Sequence, residues 1–458
     1  MSEGGSNNRQ SPRALSEELY EFCRSDTLSE NGLRAIIEGF APNNAPDHYD
    51  FFHEACRNER VTEGIVQLLI NAFPDTVSHE NHYGYTPLHY LCLNKNLGED
   101  VRLEILKLLL EKCPGSVQSA NDGDGGDPPI HLAALYQSLE FCRILLDAYP
   151  GSVRSMADNG GYFPFHLACQ SNNVAKVKYL YQLYPESNVA DNDGCYPLHC
   201  AIAVLHTKDP AAVFEVVQFL LDCDPNVASH RNQGKLPLYT VCVGATNENT
   251  PKYESLKILQ ILYDAHPEAI ESNEVTSHVG SFCEEVQAFI NTQIGYARQA
   301  RDRALMTTPD ENGQLPLHRA LHNNVTLGSI KLLVKGNPSA VCTVDNRLRM
   351  PLHVACQHHE TPAVVEYLIG LNNVTLRTTD EEGNTVLHYA CIGANHAIIG
   401  LLLDKYGSMS VSKGNALSQL PIHLLLESND VSGGDDIKYV ESVYRLMRAH
   451  PETIMNSI

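Results

Sequence analysis

The stretch NGGYFPFHLACQ (159–170) sets a histidine and a cysteine three residues apart, His166 and Cys169. On a helix that spacing turns both side chains to one face, where an imidazole and a thiol could ligate zinc or act as base and nucleophile. A closed zinc site needs four ligands around one ion, so the pair could be at most half of one. Cys195, His199 and Cys200 form the densest cluster of the same kind and are the best residual metal candidate. NDGDGGD (121–127) has the look of a calcium loop, but counted from Asp122 its fifth position is Gly126 and its twelfth Ala133, which removes the carboxylate ligands such a loop requires. Glu284 and Glu285 are neighbours that a helix points about 100° apart, so they cannot work as an acid and base pair. The patterns GxxxxGK[ST], GxSxG and HExxH do not occur. No catalytic, cofactor-binding or metal site is assigned, and a non-enzymatic protein is expected.

The pair is not unique. Its kin are YDFFHEAC (49–56), YGYTPLHYLC (83–92), GGDPPIHLAA (125–134), DGCYPLHCAI (193–202), QGKLPLYTVC (233–242), NGQLPLHRAL (312–321), RLRMPLHVAC (347–356), EGNTVLHYAC (382–391) and LSQLPIHLLL (417–426). Taking the histidine, or Tyr239, as register gives positions 53, 89, 131, 166, 199, 239, 318, 353, 388 and 423. The steps are 36, 42, 35, 33, 40, 79, 35, 35 and 35. Self-similarity at a period in the thirties marks a stacked repeat.

Each unit can be built from elementary rules. Glycine stands three residues before the proline position at 84, 126, 161, 194, 234, 313 and 383, often after Asn or Asp, a combination that favours a turn with positive φ. Proline then opens a helix where its missing N–H costs nothing: Pro87, Pro164, Pro197, Pro316, Pro351 and Pro421. A polar turn leads to a second amphipathic helix, such as FCRILLDA (141–148), which ends before the prolines at 74, 114, 150, 185, 225, 267, 338 and 451. Two short helices cannot bury their own apolar face, so units must stack.

The pattern G-x-[TFYLM]-P-[LI]-H-x-A followed by a second helix resembles the ankyrin repeat, over roughly residues 46–458. The variant whose second helices end in AYP, AHP or AFP is similar to ankyrin families expanded in unicellular algae. Leu348 and Ser418 replace the turn glycine, Val386 the proline and Tyr239 the histidine. The resemblance implies an all-α solenoid of about ten helix-turn-helix units with short β-hairpin or turn fingers. It also implies that His89, His131, His166, His199, His318, His353, His388 and His423 are structural, each ring bonding the backbone of adjacent turns, and that the Cys position takes a small residue in tight helix packing. Sequence agrees: Cys169 has Ala134, Ile202 and Leu321 as its equivalents, and stacked histidines would stand about 10 Å apart, too far to share an ion.

Composition narrows the class. The chain has 458 residues with 33 basic and 55 acidic side chains, a net charge of −22, which argues against nucleic acid or an anionic membrane surface as partner. Fourteen cysteines in a chain of this length, with no apolar leader, suit a reducing cytoplasmic or nuclear location. The expected organisation is a disordered N-terminus (1–10), a helical cap (11–45), repeats over 46–273, an irregular segment (274–308) and repeats with a C-terminal cap over 309–458. Within that segment Val279, Phe282, Val286, Phe289, Ile290, Ile294, Ala297, Ala300 and Ala304 recur at helical spacing. This predicts one helix of about 30 residues, either a degenerate repeat or a projecting arm that docks a partner.

Such a stack implies a protein-binding scaffold or adaptor that takes a partner with a basic patch along its concave side. The residues expected to carry binding are the finger-tip positions His82, Tyr83, Asn192, Asp193, Glu311, Asn312, Arg347 and Glu381, with Asn94, Tyr136, Gln170, Asn323 and His358 at the exposed ends of first helices. Two other readings stand beside it: the recognition subunit of a larger complex such as a ubiquitin ligase, and a cryptic metal protein or enzyme.

Overall fold

Proline sets the phase of each unit. A first helix begins on it at Pro87–Leu93, Pro129–Tyr136, Pro164–Ser171, Pro197–Ala203, Pro237–Gly244, Pro316–His322, Pro351–His358 and Pro421–Glu427. Val386–Ile392 starts without proline and is capped instead by the Thr385 side chain. The second helices include Glu63–Ala72, Glu99–Lys112, Leu139–Ala148, Val174–Leu183, Pro210–Cys223, Leu327–Gly336 and Pro362–Leu371. Each residue ahead of the closing proline is forced out of the α region, with φ of −139° at Phe73, −145° at Tyr149 and −151° at Asp224. The proline then opens a 3-10 turn, as in Pro74–Ser78, Pro150–Arg154 and Pro338–Cys342.

This structure is a computed structural model that describes residues 12–39, 49–118, 127–157, 160–206, 209–247, 250–406, 411–428, 436–449 and 451. The expected N-terminal segment, Gly126 and most of the 121–127 loop lie outside them. The chain divides into two packed units, Met1–Ile258 and Leu259–Ile458. In the first, successive first helices form one layer: Pro12–Arg24 packs on Asp50–Arg57, that helix on Pro87–Leu93, and so on to Pro237–Gly244. Second helices form the other layer, beginning with Glu30–Gly39 on Glu63–Ala72. The second unit repeats the arrangement from Pro316–His322 to Pro421–Glu427. Leucine, isoleucine, valine, cysteine and alanine fill the space between layers, with Leu91, Ala133, Val177, Leu220, Leu317, Ala355 and Ile399 wholly buried. Burying one large aliphatic side chain contributes about 1.5–3 kcal/mol, and only stacking supplies enough of them.

Polar side chains tie the turns between the two helices of neighbouring units. Asn58 Nδ2 donates to the carbonyls of Cys23 and Ser25 at 2.9 and 2.8 Å. Asn94 Nδ2 donates to those of Cys56 and Asn58 at 3.1 and 3.2 Å, and Gln137 Nε2 to that of Cys92 at 2.6 Å. The buried Lys176 Nζ donates to the Gln137 carbonyl at 2.8 Å. In the second unit His359 Nε2 bonds the Val325 carbonyl at 2.8 Å and Asn395 Nδ2 the His359 carbonyl at 2.6 Å.

The single long helix expected over 276–306, within the 274–308 segment, is broken in the structure. It comprises Asn273–His278, a 3-10 turn Val279–Ser281, an 18-residue helix Glu284–Arg301 and a turn Arg303–Thr307. The chain is extended at Phe282 and Cys283, with ψ of 165° and 159°. Asp302 ends the long helix and accepts the amides of Ala304 and Leu305, a cap that competes with helix continuation. The apolar stripe does not project: Val286, Ile290 and Ala297 are buried, and the helix packs on Leu327–Gly336. Gln293 Oε1 accepts from Ser329 Oγ at 2.6 Å in that contact. Ala304, counted in the expected stripe, is exposed. Arg301, the last residue of that helix, pairs with Glu271 at 2.5 Å. Ile290→Ala should therefore lower the unfolding free energy by about 2–5 kcal/mol in urea titration, whereas Asn291→Ala should change it by less than about 0.5 kcal/mol; equal tolerance of both would mean that the helix is not packed.

Candidate functional site

Six fingers are each built on one Asx side chain. Eight residues before the repeat histidine stand Asn81, Asp191, Asp310, Asp345, Asp380 and Asn415. The Asp191 Oδ1 accepts the amides of Asp193 and Cys195 at 2.9 and 2.8 Å. Asp310, Asp345, Asp380 and Asn415 do the same two and four residues onward, between 2.7 and 3.0 Å. The main chain closes the turn, for instance Asp191 N to the Cys195 carbonyl at 3.0 Å. The residue three after the Asx must be left-handed: Gly84, Gly194, Gly313 and Gly383 have φ between 74° and 80°, and Leu348 and Ser418 occupy the same position at 56° and 59°. The finger at Asn232 is one residue shorter and turns through Gln233 and Gly234 (φ 48° and 77°), both positive as a two-residue hairpin turn requires.

The repeat histidines join finger to helix and unit to unit. Nδ1 accepts the amide of the residue ahead of the helix, from Thr86 to His89 at 3.0 Å, Phe163 to His166 at 3.1 Å, Met350 to His353 at 3.1 Å and Leu420 to His423 at 2.9 Å. That acceptance places the proton on Nε2, which donates to a carbonyl of the next finger: His53 to Tyr85 at 2.7 Å, His89 to Asp127 at 3.1 Å, His318 to Arg349 at 3.3 Å and His388 to Gln419 at 3.1 Å. His166 and His353 reach the opposite side of the finger, at Val189 and Thr378. Three members depart from the scheme, the first being His53, whose Nδ1 has no partner. His131 Nδ1 has no partner, because Pro128 ahead of its helix has no N–H to give. His199 Nε2 makes no bond of ordinary length.

His166 thus has both ring nitrogens in backbone bonds, and Cys169 is wholly buried with its thiol pushed well above the ordinary range by burial. The pair carries no nucleophile. Ala134, Ile202 and Leu321 fill the same buried place. Cys195, His199 and Cys200 do stand together, yet His199 Nδ1 accepts the Tyr196 amide, and among the described residues no group of three or more His, Cys, Asp or Glu is arranged to hold a metal ion.

The residues expected to bind separate into groups. His82, Tyr83, Asn192, Asp193, Glu311, Asn312, Arg347 and Glu381 are exposed at the tips. His82 and Tyr83 lie ring to ring at 3.7 Å. Backbone bonds join tip to tip: Asn192 N to the Gly160 carbonyl at 3.0 Å, Asn346 N to that of Asn312 at 3.0 Å and Glu381 N to that of Arg347 at 3.1 Å. Asn323 is exposed; Tyr136, Gln170 and His358 are half-buried. Asn94 is a correction: it is 4% exposed, its amide consumed by the turn ladder, so it offers nothing to a partner.

Three neighbours were missed by the reading of the sequence. Lys95 Nζ lies 3.8 Å over the Tyr136 ring. His322 meets His358 edge-on at 4.2 Å, and Arg319 lies on the same helix, 3.7 Å from Asp310. The signal for the last pair was the run PLHRALHNN, where Arg319 and His322 follow the repeat histidine by one and four residues. Among the described residues no helix is long and apolar enough to cross a membrane.

A family model for ankyrin repeats (3 copies) matches residues 52–157, 99–191, 130–229, 317–415 and 352–432. Among curated proteins, the chain is similar to one of Saccharomyces cerevisiae named "Probable 26S proteasome regulatory subunit p28". The two are 29% identical over 180 residues, 38% of this chain and 68% of that protein.

Burial holds the His131, His199 and His353 rings down to about 4 from the ordinary 6.5, and lowers His53, His166, His318 and His388 as well. Between those values the unfolded chain binds more protons than the folded one, so stability rises with pH there. The urea midpoint should fall as pH drops from 6.5 toward 4, and His131→Gln, which removes one such ring, should make that fall shallower. A leucine in the left-handed region costs about 1–2 kcal/mol, so Leu348→Gly should raise the urea midpoint at neutral pH; a lower midpoint would show that the Leu348 side chain contributes more than its backbone costs.

Proposed function

Because the chain belongs to the ankyrin-repeat family, we propose that it is a non-enzymatic adaptor that holds a protein partner across its finger tips and the inner ends of its first helices. The observation that carries this reading is the division of labour along the fingers. Asx, Gly and His use their polar atoms to fix the backbone, while the tips between them leave Tyr83, Asp193, Glu311, Arg347 and Glu381 exposed on a rigid base. Rigid presentation lowers the entropy lost on binding. A net charge of −22 favours a partner with a basic patch and an association weakened by salt.

The likeness to the yeast protein favours a second, narrower reading, in which the partner is a component of the proteasome. It replaces the recognition arm of a ubiquitin ligase as the more concrete form of the adaptor hypothesis, since no feature of the chain points to ligase recruitment.

The test is a binding titration of purified chain against purified 26S proteasome regulatory particle at low and high salt. The parent should bind, more weakly as salt rises, and a variant with Tyr83, Asp193, Glu311 and Arg347 changed to Ala should lose binding while keeping the parent's circular dichroism and urea midpoint. No binding by the parent would remove the proteasomal reading. Equal binding by parent and variant would remove the tips as the contact surface.

A further inference from the structure

One pair of thiols is placed unlike the other cysteines of the first helices. Cys195 closes the finger that starts at Asp191, and Cys200 lies on the first turns of the helix Pro197–Ala203. Their sulfurs are 3.6 Å apart, and both residues are partly exposed. Cys56, Cys92, Cys169, Cys242, Cys356 and Cys391 are instead buried between helices.

The backbone under the pair is fixed on both sides. Cys195 N donates to Asp191 Oδ1 at 2.8 Å, and its carbonyl accepts from Asp191 N at 3.0 Å. Cys200 N donates to the Tyr196 carbonyl at 3.3 Å. Between them the Tyr196 ring stacks on His230 at 4.2 Å with the planes 1° apart, so the neck of this finger is also packed against the next. A disulfide holds its sulfurs at roughly 2.05 Å, about 1.5 Å closer than they stand here.

We propose that Cys195 and Cys200 are a dithiol modification site, oxidised by a hydroperoxide to an intramolecular disulfide that locks the neck of this finger. The Cys195 sulfur, as thiolate, attacks one oxygen of hydrogen peroxide; the O–O bond breaks, the departing hydroxide leaves as water after protonation, and Cys195 becomes a sulfenic acid. The Cys200 sulfur then attacks the Cys195 sulfur. The S–S bond forms, the S–O bond breaks, and the displaced hydroxide takes up the Cys200 proton as a second water. Two thiols and one peroxide give one disulfide and two waters, with the sulfurs oxidised and the peroxide oxygens reduced. The order of attack follows from the hydrogen bond between the thiols. It holds Cys195 below the ordinary thiol range and, with burial, raises Cys200, so Cys195 supplies the thiolate and Cys200 resolves the intermediate.

The experiment treats the reduced full chain with increasing hydrogen peroxide, alkylates the remaining thiols and maps tryptic peptides without reduction. The tryptic peptide Tyr179–Lys208 carries both cysteines. It should lose two hydrogens and both alkylation sites before the exposed Cys342 is modified, and dithiothreitol should restore both sites. In Cys200→Ser, a sulfenic acid should accumulate on Cys195 and be trapped by dimedone; in Cys195→Ser, Cys200 should stay alkylatable. Both variants should keep the parent's urea midpoint, since neither thiol is in the core. Oxidation of Cys342 while Cys195 and Cys200 remain alkylatable would overturn the proposal, as would conversion of Cys195 to a sulfinic acid with Cys200 untouched. Stoichiometric metal in the purified chain, released when either cysteine is replaced by serine, would overturn it in favour of a metal site.

Discussion

A neutral imidazole, buried and in most units bonded through both nitrogens, is the constraint on which the fingers depend. Nδ1 can take an amide proton only if Nε2 carries the ring's own, and Nε2 can then reach only a carbonyl. Proline at the first helical turn leaves the amide just before it as the ring's donor, and the Asx turn of the following finger delivers the carbonyl. Helix start, finger and neighbouring unit are thus joined through one side chain. Burial, and not a neighbouring charge, is the main cause of its low basicity. Where a link is missing the reason is local: Pro128 has no amide to give His131.

Because the frame takes up so many polar atoms, residue type is a poor guide to which side chains remain for a partner. Asn94 and Asn323 both lie where a first helix ends, yet one is buried in a ladder of turn carbonyls and the other is exposed. Gln137, Lys176, His359 and Asn395 are similarly consumed. What remains outward is set by distance from the next unit: finger tips extend past the ladder, while the inner turns lie under it.

The departures from the repeat carry the individuality of the chain. Between Tyr239 and His318 a helix that its apolar period alone would run on unbroken is interrupted, because Asp302 caps a new turn and Phe282 and Cys283 are extended. At the finger that starts at Asp191 two positions that elsewhere hold Tyr85 and Tyr90, or Asn384 and Tyr389, hold two thiols. In both places the frame is kept and a local substitution changes what the surface can do.

Period, proline phase and turn glycines were legible in the sequence, because each rests on short-range rules: a ring that fixes φ, a residue that tolerates positive φ, a helix that cannot pass a proline; the structural part of the histidines was implied by the resemblance to the ankyrin repeat. The Asx eight residues ahead of His89, His199, His318, His353, His388 and His423 stands in the sequence too, and only its partners needed the fold. The burial of Asn94, the packing of the 284–301 helix on Leu327–Gly336, the meeting of His322 with His358 and the contact of Cys195 with Cys200 were decided by tertiary structure alone. Each depends on where a neighbouring element or side chain comes to rest, and sequence spacing does not specify that position. By itself the sequence determined that units of about 35 residues must stack; the stack then decided which of their polar atoms were left over for chemistry and for partners.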